Sequence, residues 1–210
     1  MIFIVNENEG LSVKNEFGVN NDVTLIDVLT TNKKPIDVAS EYVNWVRDEK
    51  NGFIKTKVVG DFTFSLQYKP AAYMALIEAG VEGFSIDSIK NLYTLYNEME
   101  YYELKIEHTK WNEELIKYGT NGMSDYQNRV AYYSFHVNND IVVKCNTDEK
   151  PCLIHHWERN YNAAPNTILQ FAFERSNDCE EKIVEYNDRV FGNGILKFRF
   201  KKADINKVLS

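Results

Sequence analysis

At 210 residues the chain is longer than a typical single domain and shorter than two comfortable ones, and 44% hydrophobic residues with 13% aromatics supply a real core, which excludes global disorder. Lys and Arg number 24 against 31 Asp and Glu, a net charge of −7 with no long basic run, so duplex nucleic acid and anionic membrane surfaces are poor partners. The apolar start, Met1 to Val5, is too short for a secretory signal, and no later segment has the roughly 18 apolar residues of a membrane span.

Residues 1–36 read as an arm of short strands and turns, broken by Gly10, Gly18 and the Asn20-Asn21-Asp22 cluster, with a boundary at Lys33-Lys34-Pro35. Asp37 then caps a helix whose Val38, Tyr42, Trp45 and Val46 fall on one face, and Asn51-Gly52 supplies its stop. Ile54 to Val59, a Gly60-Asp61 break and the alternating Phe62, Phe64, Leu66 and Tyr68 read as a hairpin. Pro70 and Gly80 bracket a short helix, and Ser85 caps another with Ile86, Ile89, Tyr93 and Tyr96 at helical steps.

Tyr102, Leu104 and Ile106 alternate with Glu103, Lys105 and Glu107, which predicts a half-buried strand over 100–108 with its acidic side chains in solvent. Trp111 to Tyr118 is expected to form a further short helix ending at Gly119. From Arg129 onward the pattern is almost wholly strand, with turns at Asn138-Asn139, around Asp148 to Pro151, near Pro165 and at Gly192 to Gly194. The chain is therefore expected to be one domain over 1–210, with a helix-rich part at 37–128 and a β-rich part at 129–210. Its fold class is α+β, an antiparallel sheet or sandwich with several short helices in the middle of the chain.

Cys145, Cys152, His155 and His156 together hold the ligand types zinc prefers, but their spacing does not suit it. A hairpin centred between Asp148 and Glu149 sets Cys152 opposite Cys145 and leaves His156 four residues along the strand, roughly 13 Å away. No metal and no cofactor are expected. The same register allows a disulfide between Cys145 and Cys152, worth about 2.5 kcal/mol for so short a loop, or two reduced thiols. Cys179, among Asp178, Glu180 and Glu181, is left over with a raised thiol pKa.

No Gly-x-Ser-x-Gly elbow, phosphate loop or dinucleotide fingerprint occurs, so no catalytic residue is assigned. Trp157, Arg159 and Tyr161 are the candidate binding residues. With His156 inward they share the other strand face as two aromatic platforms with a guanidinium between them, the residue types that anchor interfaces. The bland reading of the same row is a sheet face covered by a helix, with Glu158 or Asp188 pairing Arg159.

Four segments, namely Trp45 with Asn51-Gly52, Leu66-Gln67-Tyr68-Lys69-Pro70, Trp157-Glu158-Arg159-Asn160-Tyr161 and Phe191-Gly192-Asn193-Gly194, together resemble an uncharacterised family of bacterial surface or periplasmic lipoproteins. The resemblance covers residues about 40–209 and implies export without a known activity. The chain departs from it in lacking an early lipid-attachment cysteine, its first being Cys145. The leading expectation is a non-enzymatic binding or assembly module of the bacterial cell envelope with a protein or glycan partner, periplasmic or at the surface if a leader is removed and otherwise cytoplasmic. A hydrolase built from distant acidic side chains and His136 or His156 is the first alternative, and an intracellular acidic protein that neutralises a partner is the second.

Overall fold

The computed structural model of the chain describes residues 35–81, 83–176 and 179–205. The expected N-terminal arm lies outside them except for its last two residues, which open the first helix. That helix, α1 (Pro35–Arg47), begins two residues before Asp37 because proline's fixed φ and missing N–H suit a first helical position. Asp37 is thus in the first turn, where a carboxylate favours the helix dipole, rather than at the cap. Val38, Tyr42, Val43 and Val46 face the core. Beyond α1, Asp48 accepts from the Lys50 amide at 3.0 Å and starts one 3-10 turn, Glu49–Asn51. Gly52 closes it at φ 88, where a Cβ would also stand 2.9 Å from that of Asp204.

The next elements follow the sequence closely. β1 (Ile54–Val59) and β2 (Phe62–Lys69) form the hairpin, with Val59 opposite Phe62. α2 (Ala71–Ala79) lies between Pro70 and Gly80, and α3 (Ile86–Tyr96) is capped by the Ser85 hydroxyl, which accepts from the Ser88 amide at 3.1 Å. β3 (Met99–His108) buries Tyr102, Leu104 and Ile106.

Over residues 129–140 the structure departs from the expected strands. Met123–Phe135 is a helix, α4, and a 3-10 turn, Val137–Asp140, occupies the place of the expected Asn138-Asn139 hairpin. The element crosses the expected 128/129 change from helix to strand. Its Tyr132, Tyr133 and Phe135 have strand propensity, yet Tyr126, Val130, Tyr133 and Val137 recur at three- and four-residue steps and pack on the core. Burial of that face outweighs local preference.

The remaining elements are β4 (Ile141–Cys145), β5 (Asp148–Pro151), β6 (Ile154–Glu158), β7 (Asn166–Glu174), β8 (Glu181–Asp188), β9 (Gly194–Lys201) and a short α5 (Lys202–Ile205). Among the described residues all strand pairs are antiparallel, in a five-stranded sheet ordered β1-β2-β3-β7-β6 and a four-stranded sheet ordered β5-β4-β8-β9. The fold is α+β. The inner faces of the sheets share an aromatic core, with ring centroids of Phe64 and Tyr186 at 6.5 Å and of Tyr102 and Phe200 at 5.7 Å. Among the described residues no helix is long and apolar enough to cross a membrane.

Two buried carboxylates tie the ends of this core. Glu100 on β3 accepts from the Lys182 ammonium of β8 and from the Ser176 amide at 2.8 Å, joining the two sheets. Burial lowers the pKa of Lys182, and the attraction of Glu100 opposes that shift. Asp188 accepts from the Phe191 amide at 3.1 Å and from the Asn193 side chain at 2.7 Å, which shapes the turn before β9. The glycines of Phe191-Gly192-Asn193-Gly194 therefore serve a hairpin, as their spacing suggests.

The cysteines pair otherwise than expected. Asn146 takes a left-handed conformation, φ 54, and brings the β4–β5 turn forward, so that Cys145 faces Asp148 and Val142 faces Pro151. Cys152 is thereby moved to the level of Ile141, whose carbonyl accepts from its amide at 3.2 Å, and it cannot reach Cys145. Cys145 instead bonds Cys179 with their Cα atoms 5.5 Å apart, while Cys152 stays a free, buried thiol. His156 lies in the other sheet, opposite Gln170. Burial pushes the Cys152 thiol up to about 11, so it is both shielded and protonated near neutrality.

Peptide mapping without reductant is expected to recover Cys145 linked to Cys179, with Cys152 alkylated only after unfolding. Replacing either bonded cysteine by serine should cost about 4 kcal/mol in the chain-entropy model, given the 34-residue separation. Denaturant unfolding of the Cys179→Ser variant measures that loss.

Candidate functional site

The three candidate binding residues have different surroundings. Trp157 on β6 is 9% exposed: its indole nitrogen donates to the Thr167 hydroxyl at 2.7 Å and its ring lies 5.5 Å from that of Tyr133 on α4. It faces the core, and His156 is the residue turned outward, the reverse of the expected facing. A helix covers this sheet face, as the bland reading has it. β6 stops at Glu158, so Arg159 and Tyr161 belong to the connection to β7 rather than to one strand face.

That connection is a strained turn. Tyr161 and Asn162 both have positive φ, 48 and 71; asparagine tolerates this region, but for Tyr161 it costs about 1–2 kcal/mol. Asn160 offsets the cost. Its side-chain amide donates to the carbonyls of Ala164 at 2.8 Å and Asn166 at 2.7 Å, and its oxygen accepts from the Asn162 amide at 3.1 Å. The result presents Tyr161 at 73% exposure and aims the Asn162 oxygen at the Glu114 amide, 2.9 Å away.

Glu114 precedes the 3-10 turn Leu115–Lys117, which stands where a longer helix from Trp111 was expected. The Asn162 side chain takes the Glu114 amide, and the Trp111 indole donates to its carbonyl at 3.3 Å, so the segment is tied by side chains instead of continuing as a helix. The carboxylate is 4% exposed. One oxygen accepts from the Tyr126 hydroxyl at 3.0 Å and lies 4.0 Å from the Lys117 ammonium. Its other oxygen stands 4.0 Å from Nε of Arg159, and neither of those two buried atoms has a hydrogen-bond partner.

Arg159 completes the arrangement. It donates to the Tyr126 hydroxyl at 2.8 Å, and its guanidinium carbon lies 4.5 Å from the Tyr161 ring centroid and 5.9 Å from those of Tyr126 and Trp157. The expected partners Glu158 and Asp188 are not used: Glu114 is its counter-ion. The hydrogen bond with Tyr126, above other influences, raises the Arg159 pKa, so the group stays cationic.

In front of this cluster lies a cleft of about 460 Å³ whose lining includes Glu114, Lys117, Met123, Tyr126, Tyr161 and Asn162. Arg159 stands behind the tyrosines and positions them. His136 and His156 do not line the cleft, and His155 is engaged with the Ser134 carbonyl at 3.2 Å. The cleft thus offers one carboxylate, one ammonium, an amide and apolar walls. The sequence pointed to Trp157, Arg159 and Tyr161 but not to Glu114, Tyr126 or Asn162. The Asn160-Tyr161-Asn162 run was the available signal, since asparagine tolerates left-handed turns.

No protein-family model matches the chain, and no curated protein matches it. Among solved structures it is similar to a crystal structure of a novel protein of unknown function from Burkholderia pseudomallei K96243. The identity is 9% and the TM-score 0.36, over 84% of this chain and 95% of that one. A likeness this slight carries no argument about the site.

Trp157→Ala is expected to cost about 3–5 kcal/mol, as for a buried indole, whereas Tyr161→Ala, which loses an exposed contact with Arg159, should cost about 1 kcal/mol or less. Paired urea denaturation curves separate the core residue from the surface one.

Proposed function

We propose that the protein is a non-enzymatic binding module of the bacterial cell envelope and that the cleft beside Tyr161 is where it holds its ligand. The observation that carries this reading is the strained turn: two successive non-glycine residues at positive φ keep an aromatic ring 73% exposed at the mouth of a cleft with a buried carboxylate. Strain of this kind persists where the surroundings enforce it, and it clusters at ligand clamps. Holding the Glu114 amide accounts for Asn162 in folding terms, whereas at 161 a folding role alone would favour glycine over an exposed tyrosine.

The Cys145–Cys179 disulfide supports an exported location, because such bonds persist in oxidising compartments. The sequence resemblance to surface and periplasmic lipoproteins points the same way. A periplasmic or surface site is therefore part of the proposal.

The test is an NMR titration of the labelled protein with fractions of solubilised bacterial envelope. Backbone resonances of residues 114–126 and 159–163 are expected to shift with at least one fraction and to stay unmoved in Tyr161→Ala under the same conditions. Shifts that survive the substitution, or that fall elsewhere on the protein, would contradict the assignment.

A further inference from the structure

We infer that the cleft takes an uncharged, hydroxyl-rich ligand, a neutral sugar ring or chain. This rests on the reading of the cleft as a binding site. Charge narrows the choice first. An anionic ligand would meet the buried Glu114 carboxylate, which already fills its role with Tyr126 and two cations. A cationic ligand would meet Lys117 on the rim and Arg159 behind the tyrosines, each 4.0 Å from that carboxylate. The two cations share one carboxylate, so an added cation finds no partner, and an added anion meets at most one excess positive charge while standing close to the Glu114 carboxylate, a small return for its lost solvation. A neutral ligand avoids both penalties.

Hydrogen bonding narrows it further. One Glu114 oxygen can only accept and the Arg159 Nε can only donate; they lie 4.0 Å apart, both buried and both without a hydrogen-bond partner. A single group that satisfies both must donate to the first and accept from the second. A hydroxyl does so, whereas a carboxylate has no proton to give and an ammonium has no lone pair. Glu114 lines the cleft, and the Arg159 side of the pair lies behind Tyr161, whose ring stands 4.5 Å from the guanidinium on a 73% exposed side chain that the turn leaves free to rotate. Further hydroxyls can accept from the Lys117 ammonium and pair with the Asn162 amide. Tyr161 and Met123, 73% and 68% exposed, give apolar surface for the C–H face of a sugar ring.

The experiment titrates the protein with neutral hexaoses, namely maltohexaose, cellohexaose and fully N-acetylated chitohexaose. It adds an oligogalacturonate as the anionic probe and a fully deacetylated chitosan oligomer as the cationic one, all followed by NMR shifts and calorimetry. At least one neutral probe is expected to move the cleft resonances saturably, with affinity falling about tenfold or more in Tyr161→Ala and in Glu114→Gln. Charged probes should bind about tenfold more weakly than that neutral one. Tyr161→Ala, at an exposed position, keeps the test valid should Glu114→Gln not fold. If a charged probe binds as well, or if only a peptide-containing envelope fraction moves the cleft, the carbohydrate inference falls while the binding site stands. If neither hexaoses nor envelope fractions move it, both fall.

Discussion

The site region depends on the burial of one charge. Taking a carboxylate out of water costs several kcal/mol unless its charge is balanced and its lone pairs are used, and Glu114 is 4% exposed. Its compensation comes from several parts of the chain. Tyr126 donates from α4, Lys117 lies a turn further on, Arg159 follows β6, and Asn162 holds the Glu114 amide from the next turn. One buried side chain therefore fixes the segment after β3 to α4 and to the β6–β7 connection. It acts beside other ties, since Arg129 of α4 donates to the Ile116 carbonyl at 3.0 Å, Arg159 bonds Tyr126 directly, and Leu115 and Ile116 are buried in the core.

The sandwich makes that arrangement rigid enough to be selective. β6 is paired through β7 to the long β3, and Trp157 bonds Thr167 of β7 while its ring packs on Tyr133 of α4. Arg159 is then the first side chain beyond the strand, delivered at a fixed height beside Tyr126. The Cys145–Cys179 bond, at a strand end of the four-stranded sheet, and the Glu100–Lys182 pair between the sheets brace the frame on the side of β8. The strain at Tyr161 and Asn162 is sustained by this frame together with the Asn160 hydrogen bonds.

Where a residue's fate is decided by its near neighbours, the sequence was readable. The alternation of Phe62 to Tyr68 and of Tyr102 to Ile106, and the punctuation by Pro70, Gly80 and Ser85, correspond to the observed elements. α4 was misread beyond Arg129 because the strand propensity of its tyrosines masked the helical spacing of Tyr126, Val130 and Tyr133, and packing of that face on the core decides the conformation. The cysteine pairing failed on the left-handed Asn146, which moves the turn and with it the register of everything to Pro151. At the site, Arg159 and Tyr161 could be named from local density of aromatic and polar groups. Tyr126 and Glu114 could not, since the bonds that join them to this cluster span 33 and 48 residues.

The most direct measurement of the central claim, that the buried Glu114 charge holds the loops together through Arg159, is a double-mutant cycle on Glu114→Gln and Arg159→Met by denaturant unfolding. Removal of the guanidinium should be much less costly once the carboxylate is neutral, giving a coupling of about 1 kcal/mol or more. Additive effects, within about 0.3–0.5 kcal/mol, would show that the two groups act independently and would contradict the account.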